Sequence, residues 1–116
     1  MEKESLSAQC PVDYAFQRIG GKYKGRILWL LSRGTIRYGE MRRYLVNVSP
    51  KMLTQALREL ERDELICRKV YQEVPPRVEY SLSASGSLLV PFITQLNDWA
   101  CELMDKNQIP AFRPRK

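Results

Sequence analysis

Between Ser49 and Glu64 the apolar residues Leu53, Ala56, Leu57 and Leu60 recur at the i, i+3, i+4, i+7 spacing of a buried helical face. On the opposite side Lys51, Gln55, Arg58 and Arg62 make a polar stripe with the same period. Ser49 offers a side-chain oxygen to the unpaired N–H groups of the first turn, and Pro50 sits where a missing N–H costs nothing. The pattern predicts a sharply started helix whose exposed stripe suits a DNA major groove.

Upstream, Val12, Ala15, Phe16 and Ile19 predict a short helix over 12–19, stopped by Gly20 and Gly21. A second helix is predicted over 22–33, rich in Ile27, Leu28, Trp29, Leu30 and Leu31 and closed by Gly34. A third, over 38–45, places Tyr38, Met41 and Leu45 on one side and Arg42 and Arg43 on the other. After Glu64 the period drops to two: Val78, Tyr80 and Leu82 alternate with Glu79 and Ser81, and 66–71 precedes them as a less regular partner strand. The loop of this hairpin holds Glu73, Val74, Pro75, Pro76 and Arg77, where two prolines stiffen the tip of a wing. Cys67, on the first wing strand, is expected in the core.

The span 83–107 reads as helical again, with Pro91 near its start or at a kink. Its apolar stripe, from Leu89 through Phe92, Ile93, Leu96, Trp99 and Ala100 to Leu103, is broader than one small core can cover. Leu89, Leu96, Trp99 and Leu103 are therefore expected to meet a second copy of the chain. The closing Arg-Pro-Arg-Lys is expected to be disordered.

At 116 residues the chain is expected to form one domain, 1–116, with its core over about 10–107 and no linker. A net charge of +6 is concentrated between 18 and 43, where Arg18, Lys22, Lys24, Arg26, Arg33, Arg37, Arg42 and Arg43 face a single acid, Glu40. Such a basic face supplies the salt-sensitive part of nucleic-acid affinity. The longest apolar run, Ile27 to Leu31, is far short of the ~20 residues that span a bilayer, and the first ten residues lack a signal-peptide core. No membrane partner and a cytoplasmic location are expected. Cysteines stand at 10, 67 and 101 without metal-ligand spacing, so reduced thiols are expected rather than a zinc site or disulfide framework. Histidine is absent and there is no glycine-rich phosphate loop, which argues against an enzyme and against a cofactor.

Five segments in series, CPVD at 10–13, IGGKY at 19–23, RYGEMRRYL at 37–45, SPKMLTQALRELERDEL at 49–65 and VYQEVPPRVEYSLSASG at 70–86, resemble the HxlR-type family of winged helix-turn-helix transcriptional regulators, which are MarR-like. The resemblance implies a mainly α fold with a small β-hairpin wing, and a homodimer held by its terminal helices. Its partner would be double-stranded DNA, a roughly palindromic operator read in adjacent major grooves. By the same resemblance Ser49, Lys51, Thr54, Gln55 and Arg58 fall in the DNA-reading helix, Lys69 and Arg77 fall in the wing, and Arg37 joins the DNA-binding set. Two departures stand out. Glu64 takes the place of a usual glycine, where a left-handed cap costs about 1 kcal/mol, and Tyr23 replaces a tryptophan, bringing a hydroxyl that needs a partner.

Two other readings remain. One is a winged helix used only for protein contacts. The other is a regulator responding to an oxidant or small-molecule effector. The resemblance implies Cys10, before Pro-Val, as the sensing thiol; Cys101 of the partner chain is expected as its disulfide mate by position, because Cys10 opens the first helix, Cys101 lies in the last, and the resemblance places both elements at the dimer interface.

Overall fold

The computed structural model describes residues 10–111; the first nine residues and the Arg-Pro-Arg-Lys end lie outside them. Helices α1 (Pro11–Ile19), α2 (Lys24–Leu31) and α3 (Tyr38–Tyr44) precede α4 (Pro50–Arg62), with the two-residue strand β1 (Ile36–Arg37) set before α3. Strands β2 (Ile66–Tyr71) and β3 (Arg77–Leu82) follow, then α5 (Ala84–Ser87) and α6 (Val90–Lys106). The sheet is antiparallel in the order β1-β3-β2, with Ile36 opposite Tyr80 and Arg68 opposite Tyr80 on its other side. This is a winged helix-turn-helix.

The core gathers the faces that the periodicity marks. Ile27, Leu28, Met41, Leu53, Leu57 and Leu60 are fully buried, with Tyr80 and Ile93 closing the cluster from the sheet and from α6. Ser49 caps α4, its hydroxyl accepting from the Met52 N–H at 3.1 Å. At the other end Glu64 adopts the left-handed conformation (φ 64°), and the Leu65 N–H reaches back to the Leu60 carbonyl at 3.0 Å. The glycine-type cap therefore forms on a glutamate. Ser83 holds it, donating its hydroxyl to the Glu64 carbonyl at 2.7 Å and its N–H to the Leu65 carbonyl at 3.1 Å. The next turn comes so close that a Cβ on Gly86 would lie on the Leu65 carbonyl oxygen.

Four expectations need correction. The second helix does not start at Lys22: Gly21 takes φ 88°, so regular helix begins only at Lys24 and ends at Leu31, ahead of Gly34 at φ 135°. The span 83–107 is two helices, because Pro91 has no N–H to donate and stands in the first turn of α6. Cys67 is exposed, since it lies on the face of β2 turned away from the core side of Ile66. Arg77 is not in the wing loop but opens β3.

The terminal helices bury little within the chain. No residue of α1 is buried, and α6 buries only Ile93. Trp99 is 62% exposed, with Leu96 and Leu103 beside it at 44% and 45%. Phe16 of α1 meets Phe92 of α6 edge-on, ring centres 6.5 Å apart, which joins the two helices into one apolar surface. Leu89 differs, being half-buried against the core.

Candidate nucleic-acid interface

Helix α4 carries its buried face on the core and turns Lys51, Gln55, Arg58 and Arg62 to solvent. Leu53, Ala56, Leu57 and Leu60 seat the helix on the core and both of its ends are capped, so the orientation of the exposed stripe follows from that packing. Thr54 sits half-buried at the edge of the stripe, its hydroxyl 3.4 Å from the Tyr38 hydroxyl of α3.

Between α4 and the wing runs a groove of about 700 Å³. Arg37 from β1, Arg58 from α4, Arg68 from β2 and Arg77 from β3 all line it, against the acids Glu61 and Glu73. Four guanidiniums converging from four elements form a concave cationic surface of the kind that holds a phosphate backbone. Arg77 is already engaged: its guanidinium lies 3.2 Å from Glu73 and 3.5 Å from Glu79, and stacks 3.8 Å over the Tyr71 ring. The 3.5 Å Nε contact is an ion pair without hydrogen-bond geometry. Lys69 stands apart from the groove, on the opposite face of β2 from Arg68, with its ammonium 4.9 Å over Tyr71.

Arg68 is the groove residue that sequence reasoning missed. The signal was in the pairing, since Arg68 stands opposite the inward-facing Tyr80. Burial pushes the Tyr80 hydroxyl above the usual tyrosine range, and the guanidinium of Arg68 opposes that shift.

On the other flank of α4, Gln55 donates to the Glu59 carboxylate at 2.6 Å, and the second oxygen of that carboxylate is 2.7 Å from the Lys24 ammonium. The hydrogen bonds from Lys24 and Gln55, with the Lys24 charge, hold the Glu59 carboxyl below the ordinary carboxylate range. A side chain of the reading stripe is thus tied through an acid to the start of α2. Ser49 contributes its hydroxyl oxygen to the α4 cap, which leaves the hydroxyl proton for an outside acceptor.

Of the predicted DNA-binding residues, Lys51, Thr54, Gln55 and Arg58 share one side of α4, with Ser49 at its start and Arg37 across the groove. Arg77 reaches the groove only in partnership with acids, and Lys69 does not line it. Cys10 is exposed at the start of α1 and Cys101 is half-buried on α6. Among the described residues no cluster of ligating side chains suits a metal ion, and no helix is long and apolar enough to cross a membrane.

A family model described as HxlR-like helix-turn-helix matches residues 18–108. Over 97 residues the chain is 45% identical to the uncharacterised HTH-type transcriptional regulator YdeP of Bacillus subtilis, covering 84% of this chain and 76% of that one. The solved structure of the redox regulator HypR in its reduced form is similar at TM-score 0.81 and 39% identity, covering 85% of this chain and 98% of that one. The reduced form of the transcriptional regulator YodB from B. subtilis is similar at TM-score 0.70 and 33% identity, covering 80% and 92% of the two chains.

Proposed function

The chain belongs to the HxlR-like helix-turn-helix family of transcriptional regulators, and from that membership we propose that it binds a roughly palindromic operator as a homodimer, in the cytoplasm and without enzymatic activity. The observation that carries the reading is the exposed α4 stripe flanked by the four-arginine groove. Gln55 and Arg58 read base edges, and Lys51, Thr54, Ser49 and Arg37 hold phosphates or flanking bases. Arg68 and Arg77 take the backbone strand that runs between α4 and the wing. Lys69 reaches a neighbouring phosphate from the outer face of the wing.

The apolar surface formed by α1 and α6 supports dimerisation, with Leu96, Trp99 and Leu103 at its centre and Leu89 at its margin. Two-fold symmetry then sets half-sites about one helical turn apart. Selection of bound sequences from random duplex tests this reading. An inverted repeat with that spacing is expected, lost when Trp99→Glu leaves a monomer in sedimentation. Binding with no sequence preference would instead favour a winged helix that serves protein contacts.

The similarity to HypR, a redox regulator by its name, favours one addition, an oxidant as effector. Cys10 is exposed where α1 begins, and Cys101 is half-buried on the side of α6 that faces Trp29, Leu30 and Tyr44, across the helix from Leu96, Trp99 and Leu103. A disulfide from Cys10 to Cys101 of the partner would turn one subunit against the other and spoil the match of the two α4 helices to B-DNA.

A further inference from the structure

Thr54 differs from the rest of the reading side of α4. Its neighbours Lys51, Gln55 and Arg58 are exposed, while Thr54 is half-buried and lines the groove toward the wing. A threonine carries a hydroxyl and a methyl on one Cβ in staggered positions, so the partner of one group decides where the other points. The Thr54 hydroxyl lies 3.4 Å from the Tyr38 hydroxyl, within hydrogen-bond reach and with either able to donate. Tyr38 opens α3 and packs its side chain against the core, so its hydroxyl is placed by the fold and not by α4. There is also room beside the pair. Gly39, the next residue of α3, lines the same groove, and a Cβ added to it would meet nothing within 4 Å beyond its own helix. Glycine costs stability in a helix relative to alanine, and here no neighbouring element crowds the position. The space lies open to a body from outside.

We propose that Thr54 reads a thymine by its C5-methyl group, and that Tyr38 is the positioning residue that turns the threonine hydroxyl inward and the methyl toward the base. The inference rests on the DNA-binding reading above and narrows the part given there to Thr54. A hydroxyl facing the major groove pairs with donors and acceptors of any base pair, so by itself it selects little. A methyl facing the groove meets one apolar feature among the base edges, the thymine methyl. Thr54 is short, so this contact needs the duplex close against the α3 side of α4, and the space beside Gly39 admits the strand. Polar base contacts then fall to the longer Gln55 and Arg58.

The test uses the full chain and the operator selected from random duplex, with each thymine replaced in turn by deoxyuridine, which lacks only the methyl. One thymine per half-site is expected to be sensitive, its replacement weakening binding about three- to fivefold, the worth of one methyl removed from water. Thr54→Ser keeps the hydroxyl and loses the methyl, and should bind the thymine and uracil duplexes equally. Tyr38→Phe keeps the ring and its packing but frees the threonine to rotate, so its thymine-to-uracil ratio should fall toward one. Adding Thr54→Val to Tyr38→Phe should restore the ratio, because valine in the same rotamer puts a methyl in both places; a merely structural effect of Tyr38→Phe would not be repaired this way. Thermal unfolding checks that each variant folds. The absence of a sensitive thymine overturns the proposal, and so does a sensitivity that survives in Thr54→Ser, which assigns the methyl to another side chain. An unchanged ratio in Tyr38→Phe, or one that Thr54→Val does not restore, overturns the positioning role. A chain that selects no operator overturns the DNA reading and this inference together, whereas undiminished, selective binding to an operator built wholly with deoxyuridine overturns this inference alone.

Discussion

Removing the carboxylate of Glu59 should raise affinity for random duplex and lower preference for the operator. Glu59 has two roles on α4. Its 2.6 Å bond from Gln55 fixes which way that amide points, and its 2.7 Å pair with Lys24 anchors the arrangement to α2. In Glu59→Ala the Gln55 side chain regains rotamer freedom, which on re-ordering at a base edge costs about 0.5 to 1.5 kcal/mol. Preference for the correct base pair at that position should therefore fall about two- to tenfold. Non-specific affinity moves the other way, because an acid near the phosphates disappears and Lys24 becomes free to contact them. Stability should change little: the Lys24–Glu59 pair is partly exposed, with side chains at 13% and 29%, and such pairs contribute up to about 1 kcal/mol. Competition binding of selected operator against scrambled duplex at fixed salt measures both effects, with thermal unfolding as the control for folding.

Acid should reproduce the variant. The Glu59 carboxyl is held low in the folded protein, so its contribution is present at neutral pH and is lost as pH falls through that lowered value, below the ordinary 4.5. A variant that loses affinity equally for both duplexes, or keeps the wild-type ratio, would show that Gln55 is not oriented by Glu59 when bound to DNA.

Arg68→Ala should weaken operator and random duplex alike and reduce the slope of log affinity against log salt by about 1, as expected for one lost phosphate contact; an unchanged slope removes Arg68 from the interface. Glu64→Gly should stabilise the chain by about 1 kcal/mol, since glycine takes the left-handed cap without strain. Gly86→Ala should destabilise it by more than about 2 kcal/mol, because the added methyl falls on the Leu65 carbonyl and the Ser83 bridge must give way. Denaturant unfolding reads both, and a destabilised Glu64→Gly or an undiminished Gly86→Ala would refute the account of this junction. Non-reducing electrophoresis after mild diamide treatment should give a covalent dimer that disappears in Cys10→Ser. A dimer that persists in that variant would assign the bond to another thiol.

What the sequence made legible was whatever one side-chain period can carry. Leu53, Ala56, Leu57 and Leu60 repeat on one face of a capped helix, so α4, its direction and its exposed stripe follow from local rules. Pairing between distant segments leaves no such mark. The two-residue β1 has too few positions to show a period, and it exists only because Ile36 finds Tyr80 across the sheet. The side on which Arg68 and Lys69 fall was undecidable from 66–71, where an irregular alternation leaves either parity open; the register with β3 decides it, sending Arg68 into the groove and Lys69 and Cys67 away from it. Arg77 shows a different limit. Its charge suggests phosphate, but Glu73 and Glu79 close around it, and the Tyr71 ring beneath is supplied by the cross-strand partner. The Gln55–Glu59 contact, by contrast, was available from the i, i+4 spacing alone. Only the arrival of Lys24 from α2 turns that pair into an anchor, and that arrival depends on how α2 and α4 pack.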